Sequence, residues 1–456
     1  MKIFKTLKSP IIFPSIFFVL IILTGSILLH FSENSHVKSI SWTDSIFTAT
    51  SAACVTGLTV VDTDSSFSMF GKIIIMLLIQ IGGLGIMTFT SLSIYLWRRR
   101  TTITDRIAVG QILLHDAKFS LGKFLIEIVG WTFIIEGTGA VALFIIAPEA
   151  FSPFSAIFHS VSAFCNAGFS LFPNSLIDWK GDWCVNFVFI ALIILGGIGF
   201  SVFIEIKNGI TRVLKIGDTH HQTPRISWNA KIVFRTSFFL IMLGWISIYF
   251  AEFVGYNKLM ALDDAILTSL FQSVSSRTAG FNTIDIGQLT NVSLIILLFL
   301  MFIGGAPGSC AGGIKVTTFR LLVAEIWSQL KGKKQVVIGR FAANETAVKK
   351  AMVLFILSVL IIFISTFLLD FTEGGDKPHH LVRGQFLEII FESVSAFSTV
   401  GLSTGLTSKL SVPGKWIIIM LMCIGRLGPF VLINALQSIQ KTPQMYNLPE
   451  ENLPIG

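Results

Sequence analysis

Four glycine-centred segments recur along the chain, each with a small residue before the glycine and a large apolar residue after it. Their glycines are 111, 112 and 121 residues apart, and this nearly even spacing indicates internal duplication. Glycine tolerates the positive φ angles that let successive backbone carbonyls face one axis, and such carbonyls can replace the hydration shell of an ion. We therefore interpret the segments as four walls of one ion filter. The candidate ligand residues are Val55, Thr56, Gly57, Asn166, Ala167, Gly168, Thr278, Ala279, Gly280, Thr399, Val400 and Gly401.

A short helix is predicted before each of these glycines. In the second copy, Ser152 and Pro153 match an N-cap followed by proline at the first helical position. Such a helix would enter from outside and aim its C-terminal carbonyls, with about half an elementary negative charge, at the membrane centre. Asp44, Asp264 and Glu388 fall near the outer ends of these helices and suit their positive N-termini. For one loop, packing glycines would explain the pattern better, but four loops in register favour the filter.

The composition excludes a soluble protein. Hydrophobic residues make up 53% of the 456 residues, charged residues 13%, and the mean hydropathy is +0.77, whereas soluble domains carry about 25% charged residues. We predict an all-α polytopic membrane protein with eight main transmembrane helices and four short pore helices, arranged as span, re-entrant loop, span repeats around one pseudo-fourfold pore. The apolar runs cover residues 11–29, 73–96, 124–147, 185–206, 232–253, 294–303 with a broken continuation, 351–369 and 416–436. The predicted repeats are residues 1–105, 106–215, 216–335 with the broken inner helix, and 336–440, followed by a tail at 441–456.

The distribution of lysine and arginine predicts the orientation. If the glycine loops face outside, the cytoplasmic segments hold 24 of the 34 positive residues. Both termini are then cytoplasmic. The net charge of +8 is mostly this topology signal, so the basic loops do not indicate a nucleic-acid partner.

A second set of glycines follows, 25, 28, 24 and 24 residues after the first set, within the second span of each repeat. Close helix packing explains the first two copies. The third copy, residues 304–313, has five glycines and a proline in ten residues, so a helix is not expected there and we predict a mobile gate. The alternative is a kink held rigid by its neighbours. The candidate gate residues are Gly304, Gly305, Gly308, Gly312, Gly313 and Arg426.

Arg426 stands where the other copies carry glycine, and an intramembrane arginine is functional by default. Two interpretations stay open: a charge that controls passing cations, and a structural cap on the carbonyls of residues 304–313. Glu127 and Glu136 lie in the second repeat's first span as candidate proton or sodium sites. Glu127 is near the cytoplasmic end, and a buried hydrogen bond to a neighbouring helix is favoured for Glu136. No nucleophile and base arrangement, phosphate-binding loop or metal cluster is evident in the sequence, so we do not expect an enzyme or a resident cofactor.

With these four glycine loops, the broken third inner helix and the arginine of the last inner helix, the chain resembles the Trk/Ktr/HKT superfamily of potassium transporters. Within it, the likeness is to the membrane subunits of bacterial Ktr systems (KtrB-type) and covers residues 11–436 and the tail. Plant relatives that favour sodium commonly place serine at the first filter position, so Gly57 argues for potassium at the filter.

The resemblance implies potassium uptake through a channel-like pore with an intramembrane gating loop, and sodium is a candidate activator. It also implies a homodimer in a lipid membrane, the bacterial plasma membrane, resting on a cytosolic nucleotide-binding regulator ring (KtrA-like). The sequence departs from tetrameric potassium channels, because Leu58, Phe169, Phe281 and Leu402 replace their Gly-Tyr-Gly continuation. A sodium-coupled or alternating-access cation transporter is the alternative, although repeats of that class are usually inverted. A non-conducting assembly subunit is a third possibility.

Overall fold

A computed structural model describes residues 13–32, 40–85, 121–213, 226–254, 260–374 and 384–428, with residues 378, 380 and 382. This part of the chain is mostly helical. A two-stranded antiparallel hairpin pairs Val337 with Ala342 and Ile338 with Phe341. The helices are α1 (Phe13–His30), α2 (Trp42–Cys54), α3 (Thr63–Ser66), α4 (Met69–Gly83), α5 (Leu121–Ile146), α6 (Pro153–Phe164), α7 (Trp183–Gly197), α8 (Phe200–Val213), α9 (Trp228–Ile248), α10 (Leu262–Ser275), α11 (Asn291–Phe302), α12 (Val316–Leu330), α13 (Glu345–Glu373), α14 (Gln385–Phe397) and α15 (Val412–Leu427); the strands are β1 (Val337–Ile338) and β2 (Phe341–Ala342).

The predicted short helices are present directly before the glycines, and we call α2, α6, α10 and α14 the loop helices. Ser152 caps α6 by accepting a hydrogen bond from the backbone N–H of Ser155, and proline follows at the first turn, as the sequence predicts. Asp44, Asp264 and Glu388 lie in the first turns of α2, α10 and α14, where a carboxylate complements the helix dipole.

The helices pack as a closed cycle. Each loop helix contacts the helix before it, and we call α1, α5, α9 and α13 the outer helices. The helices after the loops, α4, α7, α11 and α15, are the inner helices. Each inner helix also packs on the loop helix of the following copy, and α15 of the last copy packs on α2 of the first. The cycle therefore brings the C-terminal ends of all four loop helices toward one axis.

Polar and apolar residues are distributed as expected for a membrane protein. Most serines and threonines of the loop helices are buried, whereas Phe363, Phe367 and Phe371 of α13 are exposed. Within the described residues, three helices are long and apolar enough to cross a bilayer: α5, α13, and α9 with its π-helical end at Tyr249–Val254. The pair α7 and α8 makes a fourth if it counts as one bent span. The count of eight spans stays a prediction, since residues 86–120 and 429–456, which hold parts of two of them, lie outside the described residues.

Two inner helices are interrupted within the described residues. As predicted, α11 ends at Phe302, and an irregular segment leads to α12 at Val316. The axes of α7 and α8 also differ by 104°, with Gly199 at φ +92° between them. Close packing alone therefore does not describe the second copy, because its inner helix turns sharply at its last glycine. The backbone N–H of Phe200 freed by this bend donates to the carbonyl of Gly308, 3.0 Å away.

Candidate ion site

The four glycine segments, residues 55–57, 166–168, 278–280 and 399–401, meet in one ring. A Cβ atom placed on any of the four glycines would contact the backbone of the next segment, and at Gly168 it would lie 3.0 Å from the Cα of Gly280. In each case it would meet the carbonyl oxygen of the residue that precedes the next glycine: Gly57 faces Ala167, Gly168 faces Ala279, Gly280 faces Val400 and Gly401 faces Thr56. The contacts lead from the first segment through the second and third to the fourth and from there back to the first. A side chain on any of the four glycines would therefore collide with the neighbouring segment.

All four segments share one backbone conformation. In each, the glycine and the residue two positions before it have positive φ, and the residue between them does not. The values are 58° and 90° for Val55 and Gly57, 59° and 70° for Asn166 and Gly168, 75° and 80° for Thr278 and Gly280, and 49° and 94° for Thr399 and Gly401. The predicted alternation of handedness is confirmed. Non-glycine residues in this region are uncommon, and four at equivalent positions indicate an imposed conformation.

A buried serine anchors each segment to its loop helix: Ser51, Ser162, Ser275 and Ser395. The hydroxyls of Ser51 and Ser395 accept the N–H of the glycine in their own segment, both at 3.1 Å. In the other two copies the hydroxyl instead donates to the carbonyl of the residue after the glycine, at 2.7 Å for Ser162. These serines recur five or six residues before each glycine, and that regular position is the sequence signal that identifies them.

A second polar residue, three positions before the anchoring serine, supports the chain beyond the glycine in three copies. His159 Nε2 accepts the N–H of Leu171 at 3.2 Å, and Gln272 donates to the hydroxyl of Thr283 at 3.5 Å. The Glu392 carboxylate accepts the N–H of Thr404 at 3.0 Å and three nearby hydroxyls. The motif analysis missed the role of these three residues. The signal in the sequence is a polar residue in the middle of an otherwise apolar or small-residue helix.

Several polar groups of the ring lack a partner among the described residues. The hydroxyl oxygens of Thr56, Thr278 and Thr399 are buried without a hydrogen bond there. Asn166 is different: oriented to satisfy its neighbours, its amide donates to the carbonyls of Ala163 and Ile193 at 3.0 and 3.2 Å. The Thr399 hydroxyl oxygen lies beside Gly312, where an added Cβ would collide with it, and the Asn166 side chain holds the second segment to α6 and α7.

The electrostatics of the ring come from helix ends. The C-terminal residues of the four loop helices directly precede the glycine segments, so their partial negative charges converge there. Of the acidic residues at the helix starts, Asp44 is neutralised by Lys415 at 2.7 Å. The backbone dipoles of the loop helices therefore favour a cation at the ring.

The predicted gate, residues 304–313, is an ordered loop that we call the loop segment. It is tied to the end of α7 by hydrogen bonds from the backbone N–H groups of Ala306 and Cys310 to the carbonyls of Gly197 and Gly196, at 3.0 and 3.2 Å. A Cβ on Gly312 would lie 2.7 Å from the carbonyl of Ser398, directly before the fourth glycine segment. The loop segment therefore packs against the ring itself.

Cationic side chains hold the carbonyls of the loop segment. Arg426 donates to the carbonyl of Cys310 and to that of Gly82 in the first inner helix. Lys315 donates to the carbonyl of Ala311 at 2.6 Å. Arg426 lies where it caps the loop segment, as one of the two interpretations requires; its effect on passing cations stays a prediction.

The two glutamates of α5 differ in environment. Glu127 is partly exposed and forms an ion pair with Lys207. Glu136 is buried, with 4% of its surface exposed, and accepts a weak hydrogen bond from the Cys165 thiol at 3.7 Å. The contact to the second loop helix agrees with the favoured structural interpretation of Glu136.

Comparison with known proteins identifies the family. Residues 7–445 match the family described as "TrkH: Cation transport protein". The chain is 36% identical to the Ktr system potassium uptake protein B of Bacillus subtilis (strain 168), over 91% of this chain and 90% of that protein. It is also 36% identical to the protein of the same name from Vibrio alginolyticus, over 96% and 93% of the two chains. The potassium/sodium uptake protein NtpJ of Enterococcus hirae is 35% identical, over 96% and 95%.

A solved structure shows the same fold. The crystal structure of the potassium transporter TrkH from Vibrio parahaemolyticus matches with a TM-score of 0.70 and 21% identity, over 94% of this chain and 85% of that chain. The predicted resemblance is thus confirmed at the level of family and fold. The chain belongs to the TrkH family of cation transport proteins.

Proposed function

We propose that this protein takes up potassium across the bacterial plasma membrane through a pore whose filter is the ring of four glycine segments. The observation that carries the proposal is the closed ring, with the same alternating backbone conformation in all four segments. Alternating positive and negative φ turns successive carbonyls to one side, where they can replace the water around an ion. The names of the two relatives at 36% identity add support for potassium as the substrate.

Potassium, in this proposal, sheds water at the ring and is held by backbone oxygens of residues 55–57, 166–168, 278–280 and 399–401. The converging ends of the loop helices favour the cation. The Thr56 hydroxyl, which has no partner among the described residues, offers a further oxygen. The glycines hold the ring close enough for one ion to contact several segments, so a bulkier residue would weaken the preference for potassium over sodium.

We further propose that the loop segment is the gate. Gly304, Gly305, Gly308, Gly312 and Gly313 give it the backbone freedom to move, and Arg426 fixes the closed position through the carbonyl of Cys310. The regulator is a cytosolic nucleotide-binding ring of the KtrA-like kind, acting on a homodimer whose termini are all cytoplasmic. The name "Ktr system", which two relatives carry, fits an assembly of several components.

The second candidate function is sodium-coupled or sodium-carrying transport. It is favoured by one finding, the 35% identity to a protein named for both potassium and sodium uptake. In that case sodium would cross the same ring or activate transport from another site.

The test is growth of a potassium-uptake-deficient bacterium on limiting potassium, with the chain expressed together with a regulator subunit of a Ktr system. We expect growth to be restored at low potassium and in the absence of added sodium. Failure to restore growth, with the protein verified in the membrane, would reject the potassium proposal. Growth that requires sodium would favour the second candidate.

A further inference from the structure

Arg277 breaks the pattern of the four copies at a position next to the ring. It follows the anchoring serine of its copy by two residues, where the other copies carry Ala53, Phe164 and Phe397. It directly precedes the third glycine segment and is 9% exposed. A buried arginine in a membrane protein demands an explanation, because its charge is costly to bury.

The three other copies use this position for backbone packing. In those copies the carbonyl oxygen of the residue at this position lies against the first glycine of the second glycine set, in the inner helix of the same copy. A Cβ added to that glycine would clash with the oxygen. The contacting pairs are Ala53 with Gly82, Phe164 with Gly196, and Phe397 with Gly425. In the third copy the matching glycine is Gly304, the first residue of the loop segment, and the arginine side chain reaches it instead.

Hydrogen bonds join the Arg277 guanidinium to the loop segment and to the third outer helix. Its Nη2 donates to the carbonyl of Gly304 at 3.1 Å and to the hydroxyl of Ser237 at 3.3 Å. Its Nη1 donates to the carbonyl of Ser237 at 3.3 Å. Among the described residues no carboxylate forms an ion pair with it. The guanidinium is thus held by neutral oxygens, one of which belongs to the loop segment.

There is room for this contact to open. A cavity of about 40 Å³ is lined by Arg277, Ser237 and Gly305, together with aliphatic residues of α7 and α9. The Nε of Arg277 has no partner in the described part of the chain. The start of the loop segment therefore lies beside this cavity. It is held by the Arg277 side chain, whose Nε donor makes no hydrogen bond to the described residues.

We propose that Arg277 is a positioning residue for the loop segment, holding its first residue to the third glycine segment while Arg426 holds Cys310. Movement of the loop segment then requires both contacts to break, and a change at the third glycine segment is transmitted to Gly304 through one side chain. This inference rests on the proposed gate function, since it concerns how the loop segment is held at rest.

The thiol of Cys310 provides a test that does not depend on potassium transport. Cys310 is 1% exposed in the loop segment, whereas Cys184 is exposed and serves as an internal standard in the same molecule. The rate of alkylation by N-ethylmaleimide is measured at each cysteine by peptide mass spectrometry, on the purified full-length protein. We expect Arg277→Gln to raise the Cys310 rate about tenfold, because charge-assisted hydrogen bonds are lost, and to leave Cys184 unchanged.

Matched variants distinguish loss of the Arg277–Gly304 contact from a general loss of structure. Ser237→Ala removes one anchor of the guanidinium and should raise the Cys310 rate less than Arg277→Gln does. Arg235→Gln removes an exposed arginine from the same helix as Ser237 and should change neither thiol. If Arg277→Gln does not fold, Arg277→Lys replaces it, since a single ammonium group cannot reproduce the two-pronged contact and should give an intermediate rate.

An unchanged Cys310 rate in a folded Arg277→Gln protein, or in both Arg277→Lys and Ser237→Ala, would overturn the proposal. Equal increases at Cys310 and Cys184 would also overturn it, because they indicate general loosening. Failure of the potassium proposal alone would appear as absent transport with the Cys310 difference intact.

Discussion

Replacing Gly57 by serine tests whether the ring selects the ion. Gly57 has φ +90°, and an added Cβ would collide with the carbonyl oxygen of Ala167 and lie 3.0 Å from the Cα of Gly168. The left-handed backbone costs a serine about 1–2 kcal/mol, and relief of the collision requires the first and second segments to separate. The expected change in selectivity comes from this separation alone: we expect the preference for potassium over sodium to fall about tenfold, which corresponds to about 1.4 kcal/mol.

The control is Gly405→Ser. Gly405 has φ +96°, so its backbone penalty is similar, but an added Cβ there meets nothing within 4 Å. Both variants are reconstituted in liposomes, and potassium and sodium fluxes are measured separately. The reasoning is refuted if Gly57→Ser keeps the original flux ratio, or if Gly405→Ser shifts it equally.

The other predictions concern the loop segment and the serine anchors. Gly312→Ala should raise potassium flux without a regulator, because its methyl would lie 2.7 Å from the carbonyl preceding the fourth glycine segment; Gly130→Ala, whose methyl meets open space, should not. An unchanged flux for Gly312→Ala would argue against the gate. Ser395→Ala should lower the free energy of unfolding by about 1–3 kcal/mol, because the N–H of the fourth glycine loses its 3.1 Å acceptor. Denaturant unfolding checks this against the exposed Ser408→Ala, and equal stability of the two variants would contradict it.

Local chemistry made much of the site predictable. The glycines had to adopt positive φ if the carbonyls were to face one axis, and Ser152 and Pro153 specify a helix start by themselves. The break at Gly304 followed from glycine and proline content alone. Each of these predictions depends on residues that are adjacent in the sequence.

The features that sequence reasoning missed depend on contacts between residues that are far apart in the sequence. The bend after α7 looks like ordinary packing in the sequence, since the glycine motif of the first copy is nearly the same. The bend leaves the backbone N–H of Phe200 without a partner in its own helix, and this N–H donates to the carbonyl of Gly308, which belongs to the third copy. Arg277 was likewise visible as a residue within the pore-forming segment, but its partner Gly304 is 27 positions away. A comparison of short motifs does not reveal such partners.

The most direct test of the central claim is ion flux into liposomes that contain only this protein and its regulator, with potassium and sodium varied separately. Selective uptake through the ring predicts that a membrane potential drives potassium entry in the complete absence of sodium, and that sodium entry is much slower. Potassium entry only when sodium is present, or equal entry of both ions, would contradict the account.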